Sequence, residues 1–179
     1  MWGSDGEGRL RITVRNLGRG SARLARLRTG TKVMVEGPYG VFSTGARTRD
    51  KVVMIGTGIG ITPLRALLES TPFAPGDATI ILRGHTEQEL YLGNEINDIC
   101  QQRGGRLFHA TGPRTRWDSG SWLPEDAVRS GYRLASYAPD LAASDIYICG
   151  PSAWASNVIA DARAAGVWPE QIHHERFDW

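Results

Sequence analysis

Lys51-Val-Val-Met-Ile-Gly-Thr-Gly-Ile-Gly-Ile-Thr-Pro63 decides the fold: an apolar run of strand length enters a glycine-rich turn that opens on Thr62-Pro63. Gly56, Gly58 and Gly60, with Thr57 and Ile59 between them, carry no Cβ at alternate positions. The backbone can therefore turn tightly and leave its N–H groups open to a phosphate. Thr62 is predicted as the N-cap and Pro63 as the first helical residue, which puts a positive helix end behind those amides. The spacing is not G-x-G-x-x-G, because Ile61 and Pro63 stand where the third glycine would fall. A tight strand-to-helix turn that binds nothing is the other reading of this segment.

Outward from this turn, strands and helices alternate. Val52 to Ile55 is a continuous apolar strand, and Leu64, Leu67 and Leu68 give the following helix one buried stripe. Thr79 to Leu82 reads as a second strand, with a helix from about Gln88 to Gln102, and Arg106 to Ala110 as a third, followed by a helix-poor stretch from Thr115 to Tyr137. Asp145 to Cys149 is the fourth strand, Ala153 to Ala164 a helix, and Gln171 to Phe177 the last strand. Units of this length in this order predict an α/β fold with a parallel, doubly wound sheet. In such sheets ligands lie beyond the carboxyl ends of the strands, where strand order reverses. Four loops meet there: the glycine turn, Arg83 at the end of the second strand, Gly112 to Arg116 after the third, and Cys149-Gly150-Pro151 after the fourth.

Ahead of this pattern, Leu10 to Val14 and Lys32 to Glu36 alternate like half-buried strands, with a short helix from Ser21 to Leu27 between them. The boundary is expected in the polar stretch Ser43 to Asp50. Charge divides the same way. Residues 1–50 hold ten Arg/Lys against four Asp/Glu, whereas residues 51–179 hold eleven against fifteen. A solvated basic face is one reading of the arginines from Arg9 to Arg28; a site for an anionic cofactor or an acidic membrane surface is the other. Nucleic acid is not expected, because aromatics do not interleave with the arginines. No apolar run approaches the roughly eighteen residues of a membrane span, and no signal sequence precedes the fold, so a soluble, cytoplasmic chain is expected. Cys100 and Cys149 cannot build a disulfide framework or a four-thiolate iron–sulfur cluster.

Asp145-Ile-Tyr-Ile-Cys-Gly-Pro151 and the terminal His173-His-Glu-Arg-Phe-Asp-Trp179 complete the pattern. The GTGIGITP turn, a CGP turn about ninety residues on and an E-x-aromatic ending together resemble the NAD(P)-binding half of the ferredoxin–NADP reductase superfamily, whose sheet is Rossmann-like. With the GPYG turn at Gly37 to Gly40, Pro139-Asp140 before the last core strand and HHERF at the end, the chain is most similar to the ferric-reductase and NADPH-oxidase branch. The resemblance implies that the glycine turn takes the pyrophosphate and that Cys149, Gly150 and Pro151 take the nicotinamide. It also implies that Arg83, Arg114 and Arg116 take the adenosine 2′-phosphate, a task that suits the guanidinium fork and favours NADPH. By the same resemblance Cys149 lies beside the reacting carbon without acting as a nucleophile, Glu175 lies near the flavin edge, and Phe177 or Trp179 stacks on the flavin. His173 and His174 point to opposite faces of a strand and are read as structural.

Members of this family carry an R-x-Y-S/T flavin motif upstream that nothing before Arg9 supplies, whereas Gly18-Arg-Gly-Ser21 resembles their second flavin-phosphate element. Residues 1–46 are therefore expected to be part of an antiparallel FAD-binding β-barrel, and residues 50–179 the NADP-binding domain. The chain is expected to be a piece of a longer protein containing an FAD domain and a haem-binding membrane domain. The implied function is to pass hydride from NADPH to FAD, and single electrons onward to haem, ferric iron or oxygen. A nucleotide-binding or regulatory module without redox turnover is the alternative.

Overall fold

A computed structural model describes residues 3–4, 10–36, 42–115 and 120–177. The chain forms two compact units, Met1–Gly40 and Val41–Trp179. In the first, β1 (Gly3–Ser4) pairs antiparallel with β2 (Leu10–Arg11), and α1 (Arg19–Leu24) follows. The strand expected over Leu10 to Val14 shrinks to two residues, and Lys32 to Glu36 forms none. The reason is the lack of a face to bury: Ile12, Val14, Val33, Met34 and Val35 are all exposed, and a two-stranded pairing without an apolar partner is marginal. The predicted helix is present, displaced two residues towards the N-terminus. The GPYG turn at Gly37 to Gly40 lies outside the described residues.

The second unit is built on five parallel strands: β3 (Lys51–Thr57), β4 (Ala78–Gly84), β5 (Arg106–Thr111), β6 (Ser144–Gly150) and β7 (Ile172–Arg176). Their spatial order is β5-β4-β3-β6-β7, so the chain winds outward from β3 to one edge and then returns to β3's other side. Side-chain alternation feeds two cores. Val53, Ile55, Ile146 and Ile148 face α6 (Ser152–Ala164), whose Trp154, Ala155, Val158 and Ala162 are buried there. Val52, Met54, Ile80 and Leu82 face α2 (Ile61–Ser70) and α3 (Gly93–Arg103). Among its described residues the helix-poor stretch supplies only the short helices α4 (Glu125–Arg129) and α5 (Leu134–Tyr137). Helices on both faces of an all-parallel sheet make this the doubly wound α/β fold that the strand and helix pattern predicts. Among the described residues no helix is long and apolar enough to cross a membrane.

The amino-terminal side of the sheet is pinned by one carboxylate. Asp145, fully buried on β6, accepts hydrogen bonds from the backbone N–H groups of Thr48 (2.7 Å) and Arg49 (2.6 Å) and from the Thr48 hydroxyl (3.0 Å). Its other neighbour is His173 Nε2, at 3.0 Å, and the His173 ring stacks on Tyr147. His173 is thus structural, as its place on a strand suggests, and the segment leading into β3 is fastened to β6 before β3 begins. Asp145→Ala would orphan these donors together, and should cost about 3–5 kcal/mol. Urea denaturation should show this as a lower midpoint at unchanged slope, whereas a loss under about 1 kcal/mol would mean the carboxylate holds nothing that water cannot replace.

Candidate functional site

The central rung of the sheet aligns Gly56 of β3 with Cys149 of β6, and Cys149 with Glu175 of β7. Two turns leave the sheet just beyond this rung, at the point where strand order reverses. In the first, Gly58–Gly60 winds as a 3₁₀ turn directly into α2. Thr62 is therefore not the N-cap and Pro63 not the first helical residue; the helix begins at Ile61, with Gly60 as its cap. The glycines wind the chain into helix one turn earlier than residue preferences alone indicate, and Pro63 still fits because it lies in the first turn, where its missing N–H costs nothing.

The three glycines do different things. Gly58 has φ +55°, and a Cβ built on it meets nothing within 4 Å, so its outer side is open. Gly60 is sealed: a Cβ there would lie 2.3 Å from the Cys149 carbonyl oxygen. Gly56 is closed off by Leu64, whose Cδ1 would be 2.5 Å from a Cβ at that position. The second turn is equally tight, since a Cβ on Gly150 would meet Trp154 and the methyl of Thr57 at 2.7 and 2.8 Å. Ile59 is half-buried and Pro151 exposed, on the rims of the two turns. The backbone of Phe177 meets the second turn: its N–H donates to the Gly150 carbonyl at 3.3 Å, and its half-buried ring packs on the α2 side of the sheet.

Polarity marks the same place. Among the described residues, three buried side-chain atoms have no hydrogen-bond partner: Thr62 Oγ1, Trp154 Nε1 and Glu175 Oε2. Each belongs to a residue that follows one of the two turns or stands in register with Cys149. An unpartnered buried polar atom costs about 1–3 kcal/mol; those of Thr62, just after the first turn, and Glu175, level with Cys149, are ones a polar ligand would satisfy, whereas Trp154 belongs to the core on the α6 side. The residues therefore fit a dinucleotide: an open glycine turn for phosphates, and unmatched donors and acceptors beside it. Thr62 is marked in sequence by the glycine turn it follows, whereas Trp154 carries no signal beyond its distance from the second turn; only burial reveals it.

The Cys149 thiol is completely buried, and that burial, with the Glu175 charge next to it, pushes its pKa well above the ordinary thiol range. It is held protonated, which excludes a thiolate nucleophile at neutral pH. Burial likewise raises Cys100 to about 11.

At the far side of the crevice the structure corrects one expectation. Arg83 is 3 % exposed and faces inward. Its Nε donates to the Trp122 carbonyl (3.2 Å), and its terminal nitrogens donate to the carbonyls of Gly84, Ala110 (3.2 Å) and Gly112 (2.8 Å). The guanidinium is engaged by backbone and does not present itself to a phosphate. Its pKa falls to about 10, through burial first and the nearby charge of Arg114 second. Arg114 is exposed, while Arg116 and Trp179 lie outside the described residues. Ser21 belongs to the other unit, where its hydroxyl accepts from the N–H groups of Leu17 (2.8 Å) and Gly18 (3.1 Å) and so shapes the turn ahead of α1. Among the described residues no cluster of His, Cys, Asp and Glu could hold a metal ion.

Comparisons with known proteins agree with this geometry. A family model described as the oxidoreductase NAD-binding domain matches residues 54–159. The chain is 27 % identical over 181 residues to ferredoxin–NADP reductase B of Sorangium cellulosum, covering 97 % of this chain and 74 % of that protein. It is 27 % identical over 161 residues to NADH-cytochrome b5 reductase 1 of Cryptococcus neoformans, covering 82 % of this chain and 54 % of the reductase, so it spans about half the length of that relative. The ferredoxin–NADP+ reductase of Plasmodium falciparum, solved with 2′P-AMP, superposes with a TM-score of 0.64 at 19 % identity, over 90 % of this chain and 66 % of that one, a likeness of fold.

The burial of both cysteines makes a direct prediction. Native protein should show no rapidly reacting thiol towards a disulfide reagent between about pH 7 and 9, since both thiols stay protonated there, and two after denaturation. One fast thiol in the folded protein, accelerating as pH rises through that range, would mean that one cysteine is exposed and ionising.

Proposed function

The chain belongs to the oxidoreductase NAD-binding domain family, and from that premise we propose that it is the NAD(P)H-binding portion of a flavin-dependent reductase. The observation that carries this reading is a glycine turn open at Gly58 and sealed at Gly60 against the Cys149 turn, with the orphaned buried oxygens of Thr62 and Glu175 beside it. Bound nicotinamide supplies a hydride, and bound FAD accepts the electron pair and can release it one electron at a time. The backbone at Gly56, Thr57, Gly58, Ile59 and Gly60 would cradle the pyrophosphate, with the N-terminus of α2 behind it. Gly150 and Pro151 would form the nicotinamide edge. Cys149 would be a small, protonated, water-free wall there, and Thr62 Oγ1 and Glu175 Oε2 would answer polar groups of the ligand. Phe177 would cover the flavin ring; Ser21 is proposed as a flavin-phosphate residue on resemblance alone.

Arg114 supports NADPH over NADH at the adenosine end, and Arg116 is proposed beside it on resemblance alone. The onward acceptor proposed is haem, ferric iron or oxygen, with an FAD domain and a haem-binding membrane domain as partners. These rest on the same resemblance.

Titration calorimetry tests the reading. The folded chain should bind NADPH saturably. In Gly58→Val the added Cβ meets nothing within 4 Å and falls on the open side of the turn, so the fold should survive a strain of about 1–3 kcal/mol while nucleotide affinity falls by about a hundredfold or more. Gly60→Ala should instead unseat the fold itself, because its Cβ would collide with the Cys149 backbone. A folded wild-type chain that binds neither NADPH nor NADH, or a folded Gly58→Val that binds as well as wild type, would overturn the proposal.

A further inference from the structure

Arg83 occupies the carboxyl end of β4, on the sheet edge that leads to Arg114, yet four of its five N–H donors are directed at backbone carbonyls. Those carbonyls come from three places in the chain: its own neighbour Gly84, the β5 exit at Ala110 and Gly112, and Trp122 further on. The Gly112 N–H returns to the Gly84 carbonyl at 3.2 Å, closing a ring of bonds between the β4 and β5 exits. Arg114 emerges two residues after Gly112. Its backbone bridges to Pro124, and the preceding Pro113 carbonyl accepts from Glu125 N–H at 2.9 Å. The backbone from which the exposed Arg114 side chain leaves is therefore held on one side by Arg83, through Ala110 and Gly112, and on the other by Pro124 and Glu125.

We propose that Arg83 is a positioning residue that sets the cofactor preference through Arg114, by holding the Ala110–Arg114 backbone, and makes no phosphate contact of its own. This rests on the reading that Arg114 meets the adenosine-end phosphate. A buried cation whose hydrogen bonds run to carbonyls fills the space beneath the loop, and its pKa is lowered by burial first and by the nearby charge of Arg114 second. Lysine cannot substitute in this role: an ammonium is a point charge with three rotatable donors and cannot span four carbonyls in one plane, although it would serve well as a direct phosphate ligand.

The test is the ratio of NADPH to NADH affinity, measured by calorimetry on the full chain in wild type, Arg114→Ala, Arg83→Lys, Arg83→Gln and the double variant Arg83→Lys/Arg114→Ala. Wild type should prefer NADPH, and Arg114→Ala should lower the ratio about tenfold. Arg83→Lys and Arg83→Gln should each lower it by a similar factor, and the double variant by no more than about twofold beyond Arg114→Ala, because the two residues act through one contact. Gly112→Ala, which leaves Arg83 in place but strains a backbone at φ +134° against Pro124, should lower the ratio as well, and it serves if the Arg83 variants fail to fold. Retention of most of the preference by Arg83→Lys, or multiplied losses in the double variant, would make Arg83 a direct ligand and overturn the proposal. Equal weakening of both cofactors with the ratio unchanged would reduce Arg83 to a structural residue and overturn it too. A wild-type chain that binds both cofactors equally removes the Arg114 reading, and this inference with it, whereas a wild type that binds neither removes the whole functional proposal.

Discussion

The contact on which the rest depends is the approach of Gly60 to the carbonyl of Cys149. Any Cβ at Gly60 would sit 2.3 Å from that oxygen, so no other residue permits the first turn of α2 to rest on the end of β6. Because the turn is sealed there, β3 and β6 can run in register as far as Gly56 and Cys149. Gly56 then faces Cys149, which in turn faces Glu175. A side chain at Gly60 would push the two turns apart at the level of Cys149. A single absent methyl group thus links the backbone geometry of the fold to the electrostatics of the site.

Much of this architecture is legible in sequence, for identifiable reasons. Strands β3, β4 and β6 are buried on both faces and read as unbroken apolar runs, and the leucine stripe of α2 has helical spacing. Glycine reports backbone constraints directly, so the turns were visible too. Arg83 was not: an arginine at a strand end looks the same whether it faces solvent or bonds to carbonyls brought in from residues 27 to 39 positions away. The start of α2 was misjudged because residue preferences at helix ends do not register a 3₁₀ turn made of glycines. The alternation of Lys32 to Glu36 promised a strand, but alternation becomes a strand only when one face has something to cover it.

Two distinct electrostatic strategies occupy the two ends of the sheet. At the amino end Asp145 is buried with its acceptor capacity filled by backbone N–H groups, a hydroxyl and His173. That arrangement is rigid and self-sufficient, suited to fastening chain. At the carboxyl end buried polar atoms are left unmatched and the cysteine is kept neutral, an arrangement suited to receiving a polar group. Stability is concentrated where no ligand binds, so the binding end can remain incomplete.

The strand order has a consequence for how the molecule is made. β3 and β6 are neighbours at the centre of the sheet, but Gly56 and Cys149 are more than ninety positions apart in the chain. The wing β5-β4-β3 can assemble from nearby segments, whereas the central pairing must wait for a long loop to close, and loop closure over such distances slows folding. Until it does, one flank of β3 is an unpaired apolar edge, open to association with other chains. The crevice is completed by that late step, so a nucleotide that recognises both turns would favour the finished sheet over its half-built precursor and protect the nascent chain from misassembly.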